Sequence, residues 1–578
     1  MYATTTAHTG QDRLHNYLCS IAERDDVEFL TGQFAPIPQS FQPKLLKEYS
    51  QIKTSKGRKE ANLWSFDLRA LFGNSGINYA ADDSEIIEAA EQAARDVRNR
   101  LANCSSEETT LEMLAQAAKR HEIELPHCKK TSEIVQRMIA EKWWRRQLRK
   151  RFSKIEAAAI SIGCVHKRAG LYASNETVYR RQKQRRKNAR LLESMEAVHN
   201  QTGQICTLAE LASTNVSNPT IRRAELMTRI RGIEEFSNLI GYSGLFLTLT
   251  TPSRMHARSS IDGTTNPKYN NTRPDSAQHY LVDKVWAPVM AKLKRDGVDY
   301  FGVRIVEPHH DGTPHWHMLV FVKPDQQAHF LATIREYALR DSPNERGAQE
   351  RRFTVVPINP SKGSAAGYVA KYISKNIDGF AVGSDHESSS NADASKTSER
   401  VEAWASLWRI RQFQFFGTPS VTPYRELRRI ETLPESMQDV LGEAWKAADE
   451  GDWRTYMQLH RDGLRIKPHW EDRPSTNYPD EFNKRVRGVV VHGDLHLITR
   501  EGEWEIREKE SSREARLLTS WTCVNNSTRQ HQQSIKREEL LTFDDENGVF
   551  MDGIGGRFIE HREPPRTDAR LAPQREAR

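Results

Sequence analysis

The chain has 578 residues, a formal net charge of +8 and a pI of about 9.0. That length leads us to expect three or four domains, and the basic balance points to a polyanionic partner. Only 37% of residues are hydrophobic, and no run reaches the roughly eighteen apolar residues of a membrane span, so a membrane protein is excluded.

The first residues lack the apolar core of a signal peptide. Six scattered cysteines form no C-x-x-C pair, which fits a reducing compartment and argues against a structural zinc module. Residues 1–75 have few clear periods and several prolines, and are expected to be a loosely folded leader. Residues 76–230 read as a helical, basic region. Asp83-Ser84 and Ser105-Ser106 are placed to cap two helices. KWWRRQLRKRFSK (142–154) carries Arg145, Arg146, Arg149, Lys150 and Arg151 among Trp143, Trp144 and Phe152. RRQKQRRKNAR (180–190) carries Arg180, Arg181, Arg185 and Arg186. Cations neutralise phosphates and aromatics stack on unpaired bases, so both runs are candidate DNA contacts. The competing reading is a solvated helical face. Residues 207–230 have a helix–break–helix pattern about Asn218-Pro219, either a DNA-reading helix-turn-helix or ordinary helical packing.

Residues 240–430 alternate strand and helix signals. Strands are expected at 245–250, 299–306, 315–322, 353–356 and 408–416, with helices over 275–293, 325–340 and 361–376 and from 424 onward. Residues 380–400, rich in Ser, Asp and Asn, are expected to form a flexible loop. The order β-α-β-β-α-β-α-β predicts an α+β fold, a central antiparallel sheet covered by helices, of ferredoxin-like type. Residues 431–560 read as a small α/β accessory region, with helices over 434–465 and a β-meander over 486–507. Residues 561–578 are charged, Pro-rich and expected to be disordered. No G-x-x-x-x-G-K-[ST] loop occurs, so no nucleotide cofactor is expected.

The chemistry concentrates in 299–376. His315 and His317 lie two apart at the head of a strand, so both imidazoles point to one face. Asp311-Gly312-Thr313-Pro314 is turn chemistry that folds the preceding strand back and brings Glu307 across to them. Two imidazoles and a carboxylate can hold a divalent metal with positions left for a phosphate oxygen. A structural histidine pair is the alternative. An H-x-H pair also serves cupin-type oxygenases, but these need a Glu soon downstream, where Met318 to Val322 stand here. His309 and His310 read as loop residues or DNA contacts. Tyr368 and Tyr372 are four apart and share a helical face. Lys371 and Lys375 each follow a tyrosine by three. A nearby ammonium favours the phenolate over a phenol of pKa ~10 and stabilises a phosphotyrosine. Core aromatic packing with snorkelling lysines competes with that reading.

PHWHMLVF, the upstream Glu307 and GYVAKYISKNIDG together resemble the HUH endonuclease superfamily in its two-tyrosine, rolling-circle form. More narrowly, EPHHDGTPHWHML, INPSKGSAAGYVAKYISKNIDG and RIRQFQFFGTPSVTPYRELRR resemble the replication gene A endonuclease family of temperate tailed phages. The resemblance covers roughly residues 205–430, with Leu247-Thr248-Leu249-Thr250 standing where the superfamily has its first motif. It implies an origin-nicking enzyme using Mg2+ or Mn2+, with Glu307, His315 and His317 as metal ligands. Tyr368 and Tyr372 would act in turn as nucleophiles, leaving a 5′-phosphotyrosine and a free 3′-OH. It also implies origin DNA, single-stranded at the nick, as substrate, a host helicase and DNA polymerase as partners, and the cytoplasm of a bacterial host as the location. A relaxase or transposase of the same superfamily is the nearest alternative, disfavoured because relaxases place their tyrosines before the histidines. A non-catalytic origin-binding protein and a small-molecule metallohydrolase are the others.

Overall fold

A computed structural model of the chain describes residues 14–19 and 24–510, apart from 36, 73–82, 260–262, 360, 362, 380–393, 476, 477, 479 and 480. The region expected to be a loose leader is helical: α1 (Arg24–Phe34), α2 (Gln42–Lys56) and α3 (Arg58–Phe72). Val27, Leu30, Phe34, Leu45 and Tyr49 are buried in its core. The prolines misled the sequence reading. Pro43 sits in the first turn of α2, where its missing N–H breaks no helical bond.

The next helices are α4 (Asp83–Leu101), α5 (Glu107–Arg120), α6 (Thr131–Met138) and α7 (Glu141–Ser161). Ser106 caps α5 as expected, accepting from Thr109 N at 3.2 Å. Helix α7 joins two cores. Trp143, Trp144 and Leu148 pack among α4 and α5, while Ile155, Ala159 and Ile160 reach the core beneath the central sheet. Helix α8 (Asn175–Ser194) leads into β1 (Met195–His199) and β2 (Ile205–Thr207). The break at Asn218-Pro219 separates α9 (Leu208–Ser213) from α10 (Pro219–Leu239). Helix α10 buries Leu226, Ile230, Ile233 and Phe236 against the sheet, so packing, rather than groove reading, accounts for its apolar face.

The sheet has five strands: β3 (Ser243–Leu249), β4 (Tyr300–Pro308), β5 (Pro314–Val322), β6 (Phe353–Pro357) and β7 (Phe413–Phe416). Their order is β6-β3-β5-β4-β7, and every neighbouring pair is antiparallel. Helices α11 (Pro274–His279) and α12 (Ala287–Arg295), joined by a π-helical turn Tyr280–Trp286, connect β3 to β4. Helix α13 (Gln327–Leu339) and the short α14 (Ala348–Arg351) connect β5 to β6. Then come α15 (Ala365–Ile377) and α16 (Ala394–Trp408). The fifth strand starts later than expected. Trp404 and Trp408 are buried on α16, and Arg409 turns the chain at a φ of 54° before β7 begins. Of the expected loop at 380–400, residues 380–393 lie outside the described residues, and the rest belongs to α16.

Strand alternation sorts the two faces. Leu245, Leu247, Leu249, Trp316, Met318 and Val320 enter one core, with α7, α12 and α13. Phe246, Val303, Ile305, Leu319 and Phe321 enter the other, with α10 and α15. By the same period of two, Glu307, His315 and His317 fall on the α15 face.

After β7 the chain forms α17 (Val421–Leu427), α18 (Gln438–Asp449) and α19 (Trp453–Arg461). Strands β8 (Ile466–Pro474), β9 (Phe482–Val491) and β10 (Leu495–Ile498) make a three-stranded antiparallel meander. The expected meander does not continue into β11 (Trp504–Glu508). That strand returns to β1, pairing Trp504 with His199 and Glu508 with Met195. Residues 511–578, including the expected disordered tail, lie outside the described residues.

Candidate active site

Strands β4 and β5 form the hairpin the sequence predicts. Gly312 turns it at a φ of 83°, a region where a Cβ is strained, and its carbonyl accepts from Trp404 Nε1 at 2.8 Å. Glu307 stands opposite His315 and Ile305 opposite His317. The Nε2 atoms of His315 and His317 are 2.9 Å apart, and Glu307 Oε2 lies 3.8 Å from His317 Nε2. One ligand atom from each of the three side chains falls within 4.8 Å of the other two. Glu307 and His317 are buried.

Burial pushes both imidazoles towards the neutral form. His317 falls to about 3, through burial and then the charges of its cationic neighbours, and His315 falls well below the usual histidine range for the same reasons. A neutral imidazole offers a lone pair to a cation. Thr248 lies opposite His317 on β3, and its hydroxyl is 3.2 Å from His317 Nδ1. A hydrogen bond there orients the ring, with Nε2 turned towards His315 Nε2. Two converging Nε2 atoms and a carboxylate fit one divalent cation.

Helix α15 brings the tyrosines to this face. Ser364 caps it, accepting from Gly367 N at 3.0 Å. The Tyr372 ring packs on His317 at 4.3 Å and on Phe246 at 5.3 Å between centroids. Tyr368 meets Phe246 edge-on at 4.7 Å and is 42% exposed. Lys371 Nζ lies 4.8 Å from the centre of the Tyr372 ring. Lys375 turns elsewhere: its Nζ is 3.8 Å from Glu307 Oε2 and lies over the Tyr172 ring.

Sequence reasoning missed several neighbours. His309 lies in the loop between β4 and β5, as expected, but it also joins the histidine cluster. Its ring packs on that of His315 at 4.0 Å, and its Nε2 is buried with no hydrogen-bond partner. Asp311 is fully buried 3.5 Å from His256 Nδ1. Burial alone would raise its carboxyl, yet the surrounding histidines hold it well below the carboxylate range. The density of histidines around the H-x-H pair was a signal for this cluster. Asn376, whose Nδ2 donates to Glu307 Oε1, and Gln412, whose Nε2 donates to Asn376 Oδ1, carried none.

The candidate DNA contacts divide. Trp143 and Trp144 are buried, which overturns their reading as base-stacking groups. Arg149 pairs with Asp83 at 2.7 Å, Arg151 donates to His121 O at 2.6 Å, and Arg181 pairs with Glu402 at 2.5 Å. Arg180 pairs with Glu176 and stacks on Phe152, and Arg146 donates to Tyr478 Oη at 2.7 Å. These cations serve internal contacts. Arg145 is half-buried near Asp83, whereas Lys150, Arg185 and Arg186 are exposed.

His309, His315 and His317 are all harder to protonate in the folded chain than in the unfolded one, chiefly through burial. Their stabilisation is complete above the unfolded value of ~6.5 and is lost as the pH falls below it, because the unfolded chain then binds more protons. Metal-free protein should lose up to about 1.4 kcal/mol per pH unit for each imidazole over that range. Thermal melts between about pH 7 and about pH 5 check this. A flat profile would mean that the imidazoles are solvated.

The family model for bacteriophage replication gene A protein (GPA) matches residues 78–380. The match reaches back into the helical region, further than the motifs in the sequence. The chain is 40% identical to the replication gene A protein of Escherichia phage 186 over 65% of its own length and 56% of the relative's. It is 35% identical to the replication protein of Haemophilus phage HP1, over 70% and 54%. A probable replication endonuclease from a prophage-like region of Salmonella typhi is 37% identical, over 74% and 57%. The chain thus spans about half the length of the curated relatives it matches. No solved structure matches it, and no helix among the described residues is long and apolar enough to cross a membrane. On the strength of that match, the chain belongs to the bacteriophage replication gene A protein family.

Proposed function

We propose that this protein is a site-specific DNA endonuclease that initiates rolling-circle replication by nicking one origin strand. The observation that carries the reading is the meeting of two tyrosines with a two-imidazole, one-carboxylate cluster on one face of the sheet. The names of its relatives, replication protein and probable replication endonuclease, agree with it. The β-α-β-β-α-β order of β3 to β6, with β3 and β5 central, supports a ferredoxin-like core of the HUH type.

Glu307, His315 and His317 would hold a divalent cation, Mg2+ or Mn2+. Bound there, it would polarise the scissile phosphate and offset the charge of the departing oxygen. The chain's own groups do the rest. A tyrosine Oη attacks phosphorus in line, the bond from phosphorus to the 3′ oxygen breaks, and that oxygen takes a proton. A 5′-phosphotyrosine and a free 3′-OH result. The bond energy is kept in the phosphotyrosine, so the second tyrosine can cut the regenerated site and the displaced strand can be rejoined without nucleotide hydrolysis. Lys371, beside Tyr372, supplies a positive charge for the phenolate and for the adduct. Lys375 acts through Glu307. Host polymerase would extend the 3′-OH and a host helicase would open the duplex, in the cytoplasm of the bacterial host.

Arg185 and Arg186 on α8 and Lys150 are exposed, which supports their reading as contacts to the DNA backbone. Replacing both arginines by alanine should weaken binding across all sequences and reduce the salt slope by about 2. An unchanged slope in filter binding would remove α8 from the interface.

The reading is tested with single-stranded oligonucleotides tiled across the protein's own gene and its flanks, mixed with protein and Mn2+ on a denaturing gel. A protein band shifted by covalent DNA is expected on one tile. Cleavage without an adduct would indicate a hydrolytic nuclease. Binding without cleavage on any tile, or on supercoiled DNA, would indicate a non-catalytic origin binder.

A further inference from the structure

Asn376 lies four residues after Tyr372, one turn further along α15, and is 2% exposed. Its side-chain amide is committed on both sides. Nδ2 donates to Glu307 Oε1 and, at 2.6 Å, to the main-chain oxygen of Tyr372. Oδ1 accepts from Gln412 Nε2 at 2.9 Å. This set of partners fixes the orientation of the amide, since turning it over would place Oδ1 against a carboxylate and a carbonyl. Gln412 is anchored in turn. It is 7% exposed, and its main-chain oxygen accepts from Val306 N at 2.8 Å, one residue before Glu307. A closed ring of bonds therefore joins the metal-face strand, the segment entering β7 and the tyrosine helix.

The two oxygens of Glu307 have different neighbours. Oε1 is held by Asn376, and Oε2 lies 3.8 Å from both His317 Nε2 and Lys375 Nζ. The amide on Oε1 opposes rotation of the carboxylate towards the lysine and away from the imidazoles. The helix is also fixed beyond Asn376 and at its start. Glu234 of α10 accepts from Ala365 N at 2.6 Å and Ala366 N at 2.9 Å, and Arg223 pairs with Asp378 at 3.0 Å. The bond from Asn376 to Glu307 adds a direct link between that helix and the carboxylate, one turn after Tyr372.

We propose that Asn376 is a positioning residue that holds Glu307 in its ligating rotamer and fixes the tyrosine helix against it, with Gln412 orienting the Asn376 amide. This rests on the reading of Glu307 as a metal ligand.

The test is a calorimetric Mn2+ titration of the full chain, as wild type and as the His317→Ala, Asn376→Ala and Gln412→Ala variants, each with its melting temperature. Asn376→Ala should bind Mn2+ roughly 10- to 100-fold more weakly, as losses of groups that orient metal ligands do, and Gln412→Ala should lose less. Adduct formation by Asn376→Ala should recover as Mn2+ is raised, which a general packing defect would not allow. An Asn376→Ala isotherm within about twofold of wild type, at an unchanged melting temperature, would overturn the proposal. If Asn376→Ala does not fold, the Gln412→Ala isotherm decides by the same criterion. Wild type that binds no Mn2+, or a His317→Ala variant that binds as wild type does, would sink the metal reading and this proposal with it. Binding lost in His317→Ala and kept in Asn376→Ala would sink the positioning role alone.

Discussion

Replacing both Tyr368 and Tyr372 by phenylalanine is expected to abolish the covalent protein–DNA adduct. The substitution removes two hydroxyls and little else. Both rings keep their packing on Phe246, and the ring of residue 372 keeps its place on His317. DNA binding and melting temperature should therefore stay close to wild type. Loss of an enzyme's covalent nucleophile costs on the order of 10⁶ in rate, so adduct should fall below detection on a denaturing gel. Each single variant should keep one nucleophile and damage initiation without abolishing attachment. Tyr368 is the more exposed ring and Tyr372 the one against the imidazole, so the two singles are expected to differ in which step they lose. An adduct that survives in the double variant would place the nucleophile elsewhere.

His315→Ala or His317→Ala should remove metal-dependent cleavage while leaving DNA binding in place. Each change takes one of three donors from a cluster whose ligand atoms lie within 4.8 Å of one another. A cation polarising a phosphoryl oxygen supplies several kcal/mol of charge stabilisation, on the order of 10³-fold in rate. The basic surface on α8 lies on a different element, so the binding isotherm should move little. A calorimetric Mn2+ titration separates loss of metal from loss of fold, because a folded variant keeps its melting transition. Normal cleavage by either variant would end the assignment of this cluster as a metal centre.

Much of the candidate site could be read from the sequence, because it depends on short periods. A spacing of two on a strand put His315 and His317 on one face, and turn chemistry at 311–314 put Glu307 opposite. A spacing of four on a helix put Tyr368 beside Tyr372. The leader was misread because its prolines read as breaks, although Pro43 lies in the first turn of α2, where a helix tolerates it. The basic run at 142–154 was read as a DNA surface, yet its tryptophans face the core and several of its cations meet partners far away in the chain. Arg146 reaches Tyr478, and Arg149 reaches Asp83. A run of charge states composition and is silent about which side of the helix meets solvent.

By itself, the sequence determined the local geometry here: strand parity, helical face, turn position and the residue types able to bind a cation or attack a phosphate. Tertiary structure decided what those groups meet. It set α15 across the sheet so that Tyr372 packs on His317, and closed the Gln412–Asn376–Glu307 chain between segments far apart in sequence. It also joined β11 to β1 across roughly three hundred residues. The physical reason is range. Backbone periodicity is fixed within a few residues by sterics and hydrogen bonding, whereas the partner of a buried amide or a strand edge is chosen by how the whole chain packs its apolar faces.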